Sequence, residues 1–543
     1  MQMASFHWKK NQQLSEEYIL GTEKALSLFP SHYGREADWQ KRVQWLDGGH
    51  EPHADRKELT EVLRAYNTRV GNHDAALNHV QKLVDHETLA IVGGQQAGLF
   101  GGELLVLYKA VTILQLAREW SAKLDRTVVP IFWIAGEDHD FDEVNHIQLL
   151  SNTQQIEKIK VEHPTGQRTA VSRLPIASEV WEDALNKLDH SLMDTEFKAG
   201  LMERMRAVTA GDATLSDAFA RWMALIFGEF GLVLIDADDP HLRKLEAAMF
   251  GRLIDENEAY AAALVHSQTE VSSAGYAIQA EIHPDGANLF TFAEGQRLLL
   301  HREGDLFTDK KSTVHFTKAE LRDRAFTHPE LMSNNVMSRP LMQEFLFPVL
   351  ATVLGPGEIA YWALTKRAFE HFGLQMPIVA PRLEFTLIEG MIKKQMDKYN
   401  FSLADVLERF DEKKQAWLDE QDTLKLGEQF ERVKASFVSS YGPLVESLQT
   451  INPGIKKLGD TNLAKIVEQI DYLQHKAAEA TNTQFDAAIR QLERVRLTIF
   501  PLAKPQERVY NGCAYLNRYG HAWLHTLLET QIPVDGLHRV FYL

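Results

Sequence analysis

An acidic segment at residues 137–146 carries the side chains best suited to catalysis. It directly follows an apolar run that ends at Ile134, and its candidate catalytic residues are Glu137, Asp138, His139 and Asp142. Because α/β proteins bind ligands at the carboxyl ends of parallel strands, this position favours a functional site. His139 or Glu137 could act as the general base for an attacking amine or thiol. The carboxylates could also bind an ammonium group, a sugar or nucleotide-borne Mg²⁺, unless the segment is simply a solvated helix start.

A glycine-rich turn lies one strand earlier, between the apolar run 89–92 and a helical pattern that begins near Leu104. Its candidate substrate-binding residues, together with one from the next apolar run, are Gly94, Gln95, Gln96, Gly98 and Trp133. Glycines let a backbone approach a ligand closely, and the free N–H groups of a helix start favour a carboxylate or phosphate. The pattern is neither a Walker A motif nor a dinucleotide fingerprint. An ordinary strand-to-helix turn is the alternative.

A third region supplies a cation and a second turn. Arg339 could bind a carboxylate or phosphate through two parallel hydrogen bonds. Glu358 and Tyr361 follow the Gly-Pro-Gly turn at 355–357, where a helix begins. The alternatives are a surface ion pair for Arg339 and a plain loop for the turn.

Two segments that flank a long helical stretch form the fourth candidate site. Segment 381–386 precedes this stretch and segment 504–512 follows it, so a helical hairpin between them would bring the two together. The residues predicted to bind an adenine nucleotide there are Arg382, Glu384, Phe385, Thr386, Arg490, Gln506, Tyr510 and Asn511. A polar hinge between hairpin and core is the alternative.

Four near-continuous apolar runs indicate the fold that positions these groups. They cover residues 89–92, 128–134, 232–235 and 377–380, and helical patterns separate them. This arrangement predicts an α/β core, residues 1–387, with a parallel sheet covered on both faces. Inserts near 150–210 and 270–335 read as accessory modules on that core.

From 388 to 500 the pattern changes to apolar spacings of three and four. The Asn-Pro-Gly sequence at 452–454 divides this stretch, which predicts an antiparallel helical hairpin with coiled-coil periodicity. Its exposed seams favour a homodimer. Residues 501–543 return to mixed composition and are expected to pack back on the core.

Composition excludes several classes of protein. The chain has 543 residues, 45% of them hydrophobic, and a net charge of -17, which disfavours nucleic-acid binding. Its single cysteine, Cys513, allows no internal disulfide or thiolate zinc cluster. No signal-peptide core and no run of about 18 apolar residues is found, so we expect a cytoplasmic protein without a membrane partner.

Four segments, in this order, together resemble the bacillithiol biosynthesis cysteine-adding enzyme family, BshC. They are residues 94–102, 133–140, 355–361 and 504–511. The resemblance implies a ligase that joins L-cysteine to the amino group of glucosaminyl-malate. It also implies a Rossmann-like core of the class I synthetase and nucleotidyltransferase type, with connective-peptide inserts and a dimerising coiled coil. ATP or ADP with Mg²⁺ is the expected cofactor, and no tightly bound transition metal is expected.

These residues suggest a mechanism for that reaction. The carboxylate of cysteine would lie over the turn at 94–98 and its ammonium group near the acidic segment. His139 or a neighbouring carboxylate would take the proton from the attacking amine, while Arg339, Lys366 or Arg367 would bind the malate carboxylates. Two alternatives stay open: a metal-dependent hydrolase that uses the 137–143 cluster, and a coiled-coil scaffold that senses a nucleotide.

Overall fold

The computed structural model describes residues 3–49, 53–151, 155–421 and 425–543. The chain forms two compact units. The first comprises Met1–Thr386 with Gln506–Phe541, and the second comprises Leu387–Pro505 with Tyr542–Leu543.

The strands of the described residues, in chain order, are β1 (Met3–Phe6), β2 (Leu89–Gln95), β3 (Val128–Ile134), β4 (His146–Leu150), β5 (Ile156–Lys160), β6 (Val233–Asp236), β7 (Gly286–Ala293), β8 (Gln296–Glu303), β9 (Leu306–Asp309), β10 (His315–Thr317), β11 (Met332–Asn334), β12 (Val349–Leu354), β13 (Ile378–Pro381), β14 (Glu384–Ile388) and β15 (His538–Tyr542).

The α-helices are α1 (Gln13–Ile19), α2 (Glu23–Leu26), α3 (Glu36–Asp47), α4 (Arg56–Arg69), α5 (Asp74–Lys82), α6 (Leu104–Leu124), α7 (Phe141–Val144), α8 (Ser178–Ser191), α9 (Lys198–Val208), α10 (Leu215–Phe227), α11 (Pro240–Asp255), α12 (Asn257–Ser273), α13 (Lys318–Thr327), α14 (Arg339–Leu346), α15 (Pro356–Trp362), α16 (Lys366–His371), α17 (Gly390–Lys398), α18 (Leu403–Glu408), α19 (Phe410–Gln421), α20 (Leu426–Ser447), α21 (Pro453–Ile499), α22 (Cys513–Tyr519) and α23 (Ala522–Glu529).

Short 3-10 turns span Leu99–Gly101, Val171–Arg173, Gly228–Phe230, Pro329–Leu331, Ala363–Thr365, Leu448–Thr450, Pro501–Ala503 and Gln506–Arg508.

A five-stranded parallel sheet forms the core of the first unit. Its order is β13-β12-β2-β3-β6, and each neighbouring pair is parallel. Every residue of β3 and β12 is buried, as expected for strands that helices cover on both faces. The predicted parallel sheet is therefore confirmed. Strand β12 was not among the four predicted runs, and it lies between β2 and β13.

Helix α6 packs closely on the sheet because β2 carries a glycine beneath it. A Cβ atom at Gly93 would lie 2.7 Å from Cδ1 of Ile113, so a larger residue would push the helix away. Residues of α6 on several sides are buried, in agreement with its nearly continuous apolar sequence. The strand-to-helix unit that holds the glycine-rich turn is thus tightly packed.

Further sheets accompany this parallel sheet, and the strand pairs within β7–β11 and β4–β5 are antiparallel. The order β10-β9-β8-β7-β11 makes a five-stranded sheet within residues 286–334, β4 and β5 form a hairpin, and β1-β15-β14 form a third sheet. The strand-like runs at 289–292 and 297–300 lie in β7 and β8.

The second unit is helical and contains the predicted hairpin. Helices α20 and α21 run antiparallel, with Lys434 Nζ 2.9 Å from Asp471 Oδ1 and Tyr441 Oη 2.9 Å from Asn462 Oδ1. Helix α21 has 47 residues and is therefore about 70 Å long. Among the described residues, no helix combines the length and apolarity needed to cross a membrane.

Candidate active site

Three of the predicted segments meet at the carboxyl edge of the parallel sheet. Gly93 in β2 pairs with Phe132 in β3 on one side and with Val353 in β12 on the other. The three strands end together, so the turn at 94–98, the loop at 135–140 and the start of α15 are neighbours. Parallel sheets place ligands at this edge.

Lys109, a residue of α6, organises the turn from below. Its Nζ donates to the carbonyl oxygen of Gly94 at 2.6 Å, to Gln95 Oε1 at 3.0 Å and to Glu358 Oε2 at 2.6 Å. The side chain is 1% exposed, and burial lowers the pKa of Lys109. Because Lys109 holds the amide oxygen of Gln95, the Nε2 group of Gln95 is the one left to face a ligand.

Arg339 lies directly over the glycine of this turn. A Cβ atom at Gly94 would overlap the guanidinium of Arg339 and approach the carbonyl oxygen of Trp133 to 3.0 Å. The guanidinium carbon lies 5.3 Å from the centroid of the Trp133 ring, which provides a cation–π contact. In the described part of the chain no carboxylate pairs with Arg339, so this half-buried cation is available for an anion.

Tyr361 completes the third segment on α15. Burial, followed by the charge of Glu358, raises the pKa of Tyr361, so the phenol stays protonated. The structure therefore brings Arg339, Glu358 and Tyr361 to the glycine-rich turn, as substrate binding would require. Their roles as binding residues stay predictions.

The loop after β3 is joined to the turn by Gln96. Its Nε2 donates to Asp138 Oδ2 at 2.7 Å and to Glu143 Oε2 at 2.8 Å. The other oxygen of Asp138 accepts from the backbone N–H of His139 at 2.7 Å. Asp138 thus fixes the backbone from which the imidazole projects.

His139 is held between two arginines. Its Nδ1 lies 3.1 Å from Arg297 Nη1, and its Nε2 lies 2.5 Å from Arg168 Nη2. Burial, and then the charges of Arg297 and Arg168, lower the pKa of His139. The ring is therefore neutral near pH 7, which is the charge state of a general base.

The other two candidate catalytic residues occupy different surroundings. Glu137 is buried, forms an ion pair with Arg243, and accepts from Ser333 Oγ at 2.6 Å. Asp142 is 80% exposed and accepts from Asn145 Nδ2 at 3.2 Å. Glu137 also accepts from the N–H of Asn334 at 3.3 Å, so it already has three partners inside the protein. The geometry favours Asp138 and His139 over this pair, because Glu137 is engaged and Asp142 is largely in solvent.

A layer of buried carboxyl groups lies under the loop. Gly136 leaves room for Asp236, whose carboxyl would overlap any Cβ atom at that position and accepts from Ser216 Oγ. Burial, and then the charge of Asp238, raise the pKa of Asp236 to about 7. Burial also raises the pKa of Glu246, a partner of Arg243, to about 7.

The residues predicted to bind a nucleotide in the first unit already have partners elsewhere in the protein. Arg382 donates to both oxygens of Glu507, at 3.0 and 2.6 Å, and Phe385 N–H donates to the same carboxylate. Asn511 Nδ2 donates to the carbonyl oxygens of Phe100 and Gly102, at 3.1 and 2.5 Å, and so supports the turn before α6.

The other five members of the nucleotide set, placed by element, are Glu384 and Thr386 in β14, Gln506 and Tyr510, both buried after the hairpin, and Arg490 in α21 of the second unit. Nucleotide binding by this set stays a prediction.

Two cations considered for the malate carboxylates are already engaged. Lys366 Nζ donates to the carbonyl oxygen of Ser27 at 2.9 Å. Arg367 pairs with Glu370 at 2.6 Å and with Glu270. An anion would have to displace these partners, so neither Lys366 nor Arg367 is favoured as a site for malate.

A metal centre finds no support in this geometry. Among the described residues, no group of three or more histidine, cysteine, aspartate or glutamate side chains is placed to hold a metal ion. Glu137 forms an ion pair with Arg243 instead, so it does not act together with His139 as a metal ligand. The metal-dependent hydrolase alternative therefore gains nothing from the structure.

Family models match both parts of the chain. Residues 1–383 match the family model described as "Bacillithiol biosynthesis BshC, N-terminal Rossmann-like domain", and residues 385–543 match "Bacillithiol biosynthesis BshC, C-terminal coiled-coil domain". This chain belongs to the BshC family. The predicted Rossmann-like core and coiled coil are both confirmed for this BshC-family protein.

Relatives cover almost the whole chain. The protein from Geobacillus sp. strain WCH70 is 35% identical over 98% of both chains, and so is the one from Geobacillus kaustophilus. The protein from Geobacillus thermodenitrificans is 36% identical over 90% of this chain and 91% of its own. Each of the three is named "Putative cysteine ligase BshC".

One solved structure aligns more weakly. It is titled as a putative arginyl-tRNA synthetase from Campylobacter jejuni and matches 83% of this chain and 99% of its own, at 9% identity and a TM-score of 0.19. A likeness at this level carries no argument, so the class I synthetase subtype of the BshC core stays a prediction.

Three residues of this candidate site were not predicted from the sequence. Lys109 had a signal, because it is the only charged residue between Leu104 and Ala117 in a helix of apolar character. Arg168 and Arg297 had none, since they lie 29 and 158 residues from His139 in the chain and only tertiary packing brings them to the imidazole.

Proposed function

We propose that this BshC-family protein is a ligase that joins L-cysteine to the amino group of glucosaminyl-malate in the last step of bacillithiol biosynthesis. The observation that carries the proposal is that two groups lie at the same edge of the sheet. They are Arg339, which has no carboxylate partner among the described residues, and the neutral imidazole of His139. Family membership and the names of the relatives support the same chemistry.

The carboxylate of cysteine would bind between Arg339 and Gln95. Arg339 supplies the charge, and Lys109 fixes Gln95 so that its Nε2 is directed to a ligand. A charge-assisted pair of this kind is stronger than a neutral hydrogen bond. The ammonium group of cysteine would then lie toward Asp138 and Asp140.

Amide formation at this site requires one proton transfer and one leaving group. The amine nitrogen of glucosaminyl-malate forms a bond to the carboxyl carbon of cysteine, and His139 takes the proton that the amine loses. ATP with Mg²⁺, when bound, supplies the phosphoryl or adenylyl group with which the departing carboxyl oxygen leaves. Lys109 and Gln96 act through position, since they fix Gln95 and Asp138.

A phosphate at the nucleotide site would compete with Glu507 for Arg382. Arg382 and Glu507 form an ion pair. Arg382 can therefore bind a phosphate only if Glu507 moves away or shares the guanidinium with it. Asn511, another member of this set, donates to the carbonyl oxygens of Phe100 and Gly102, so a ligand bound to Asn511 would act on the turn before α6.

We also propose a cytoplasmic homodimer that assembles through the hairpin. Large apolar side chains are exposed on α20 and α21, and they are Val433, Val438, Leu444, Ile455, Leu458, Tyr472 and Leu473. Exposed apolar surface of this kind favours burial against a second copy. A cytoplasmic location fits an enzyme that consumes ATP, and the net charge of -17 disfavours a nucleic-acid partner.

Mass spectrometry of the purified protein tests the reaction. The protein is mixed with glucosaminyl-malate, cysteine, ATP and Mg²⁺, and ATP is omitted in a parallel reaction. We expect bacillithiol only in the complete mixture, together with ADP or AMP, whose identity shows how cysteine is activated. If a folded protein forms no product from any cysteine donor or nucleotide, the proposed function is wrong.

A further inference from the structure

The contacts of His139 pose a hydrogen-bonding conflict. A neutral imidazole has one nitrogen that accepts a hydrogen bond and one that donates. Both nitrogens of His139 nevertheless face arginine N–H groups, at 3.1 Å for Arg297 and 2.5 Å for Arg168. One of the two guanidinium groups therefore points a donor at another donor, and an anionic oxygen placed between them would remove the conflict.

Arg168 is the more available of the two. Within the described ranges no carboxylate pairs with Arg168, and its side chain is exposed. Arg297 is buried, stacks 3.8 Å from the Phe290 ring centroid, and donates to Ser333 Oγ at 3.0 Å and to the Asn334 carbonyl oxygen at 2.6 Å. Arg297 is thus the fixed member of the pair and Arg168 the one that can move.

A buried amide next to Arg297 also lacks a partner. Asn334 is 1% exposed, and neither its Oδ1 nor its Nδ2 has a hydrogen-bond partner among the described residues. An unsatisfied buried amide costs about 1–3 kcal/mol and is rare in folded proteins, so it points to a ligand. Asn334 directly precedes the turn that begins α14 and places Arg339.

We propose that Arg168 and Arg297 bind a carboxylate of the acceptor substrate next to His139, and that this anion draws Arg168 away from Nε2 so that the ring can accept the proton of the amine. The acceptor in the proposed reaction carries a malate dicarboxylate, so the identity of the ligand rests on the proposed function. Cysteine and malate are then bound by different arginines, Arg339 and the Arg168–Arg297 pair.

Calorimetric titration with L-malate, glucosaminyl-malate and cysteine tests this assignment. We expect Arg168→Ala to weaken the binding of L-malate and glucosaminyl-malate by about ten-fold or more, which is the size of one lost charge-assisted hydrogen bond. Cysteine binding should be unchanged. Arg64→Ala, a matched loss of one exposed arginine on α4, should change none of the three.

A pH profile separates this role from a structural one. His139 is faced by Arg168, Arg297, Asp138, Asp140 and the Phe290 ring. Removal of the Arg168 charge favours the protonated ring, so the acid limb of kcat/KM should move to higher pH in Arg168→Ala. Arg168→Lys, which keeps the charge, should leave this limb nearly in place.

The outcomes distinguish the inference from the proposed function. If the wild type makes bacillithiol and Arg168→Ala has an unchanged KM for glucosaminyl-malate, the inference is wrong and the function stands. If no bacillithiol forms but L-malate binding depends on Arg168, the anion site stands and the function is wrong. If the wild type binds neither L-malate nor glucosaminyl-malate, the anion site is wrong.

Discussion

Lys109 and Glu358 form an ion pair of 2.6 Å that joins helix α6 to helix α15 across the carboxyl edge of the sheet. The lysine is buried and the glutamate is 26% exposed, so the pair reaches from the interior to the candidate site. Glu358 also accepts from the N–H of Gly355 at 2.7 Å, and Lys109 also binds Gln95. One buried cation thereby sets the positions of two predicted substrate-binding residues.

Lys109→Met should lower both stability and activity. It removes the cation that Glu358 and Gln95 share, and Glu358 then keeps only the N–H of Gly355. We expect a loss of about 2 kcal/mol in the free energy of unfolding, less than for a fully buried pair because Glu358 reaches solvent. Urea denaturation measures it. Adding Glu358→Gln should recover part of the loss, since no unpaired charge then remains. If the free-energy losses of the two single variants add up to the loss of the double variant, Lys109 and Glu358 have no coupling energy.

Gly94→Ala should impair substrate binding more than stability. The added methyl group displaces Arg339, so the KM for cysteine should rise about ten-fold or more. Gly357→Ala is the matched control, because a Cβ atom there meets nothing within 4 Å. The control should keep its KM and gain about 0.4 kcal/mol of stability, the lower end of the range for replacing a glycine by alanine where the backbone allows it. Equal KM values in the two variants would contradict the position of Arg339.

His139→Ala should reduce kcat by about 10²- to 10⁴-fold if the imidazole is the general base. His328→Ala, which removes an exposed histidine of the first unit, serves as the control. In the wild type, kcat/KM should fall on acidification only below pH 6.5, because the pKa of His139 is lowered from that value. If the acid limb of kcat/KM is unchanged in His139→Ala, a group other than His139 causes that limb.

The same depressed pKa affects stability, and the sign follows from proton uptake. Below pH 6.5 the unfolded chain protonates this histidine while the folded protein does not, so the folded state is progressively disfavoured as the pH falls toward the folded pKa. Above pH 6.5 the contribution vanishes. His139→Gln should therefore weaken the acid destabilisation, which thermal unfolding between pH 5 and about 7 measures.

Asp236→Asn should reduce the loss of stability that occurs as the pH rises through 7. The pKa of Asp236 is raised from 3.8 to about 7, so the folded state binds the proton more tightly than the unfolded state does. Its contribution to stability is complete below about pH 4 and is lost as the pH rises through 7. Asparagine imitates the protonated acid, and Tm should then fall less than in the wild type between pH 6 and about 8. An identical Tm profile would contradict the raised pKa.

Leu458→Asp should dissociate the proposed dimer. Leu458 lies on α21 and is 69% exposed in the single chain, where an apolar side chain gains most from a partner. Gln469→Asp introduces the same charge at an exposed polar position of the same helix and should leave the dimer intact. Sedimentation velocity distinguishes the two. A wild-type protein that sediments as a monomer at all concentrations would contradict the proposal.

Local sequence patterns were sufficient for most of the fold. The apolar runs at 89–92 and 128–134 predicted β2 and β3, and the spacing of three and four after residue 388 predicted the hairpin, because side-chain periodicity follows backbone geometry directly. Strand β12 was missed. A six-residue apolar run without alternation looks the same whether it belongs to a buried strand or to part of a helix.

The sequence by itself determined which chemical groups stand after which strand, and the tertiary structure decided which of them can act. Glu137 and His139 are two residues apart and looked equally suited to be a base. Folding buries the carboxylate of Glu137 against Arg243 and places the imidazole of His139 between Arg168 and Arg297. Partners distant in the chain set the burial, charge and pKa of each group, and no local pattern records those partners.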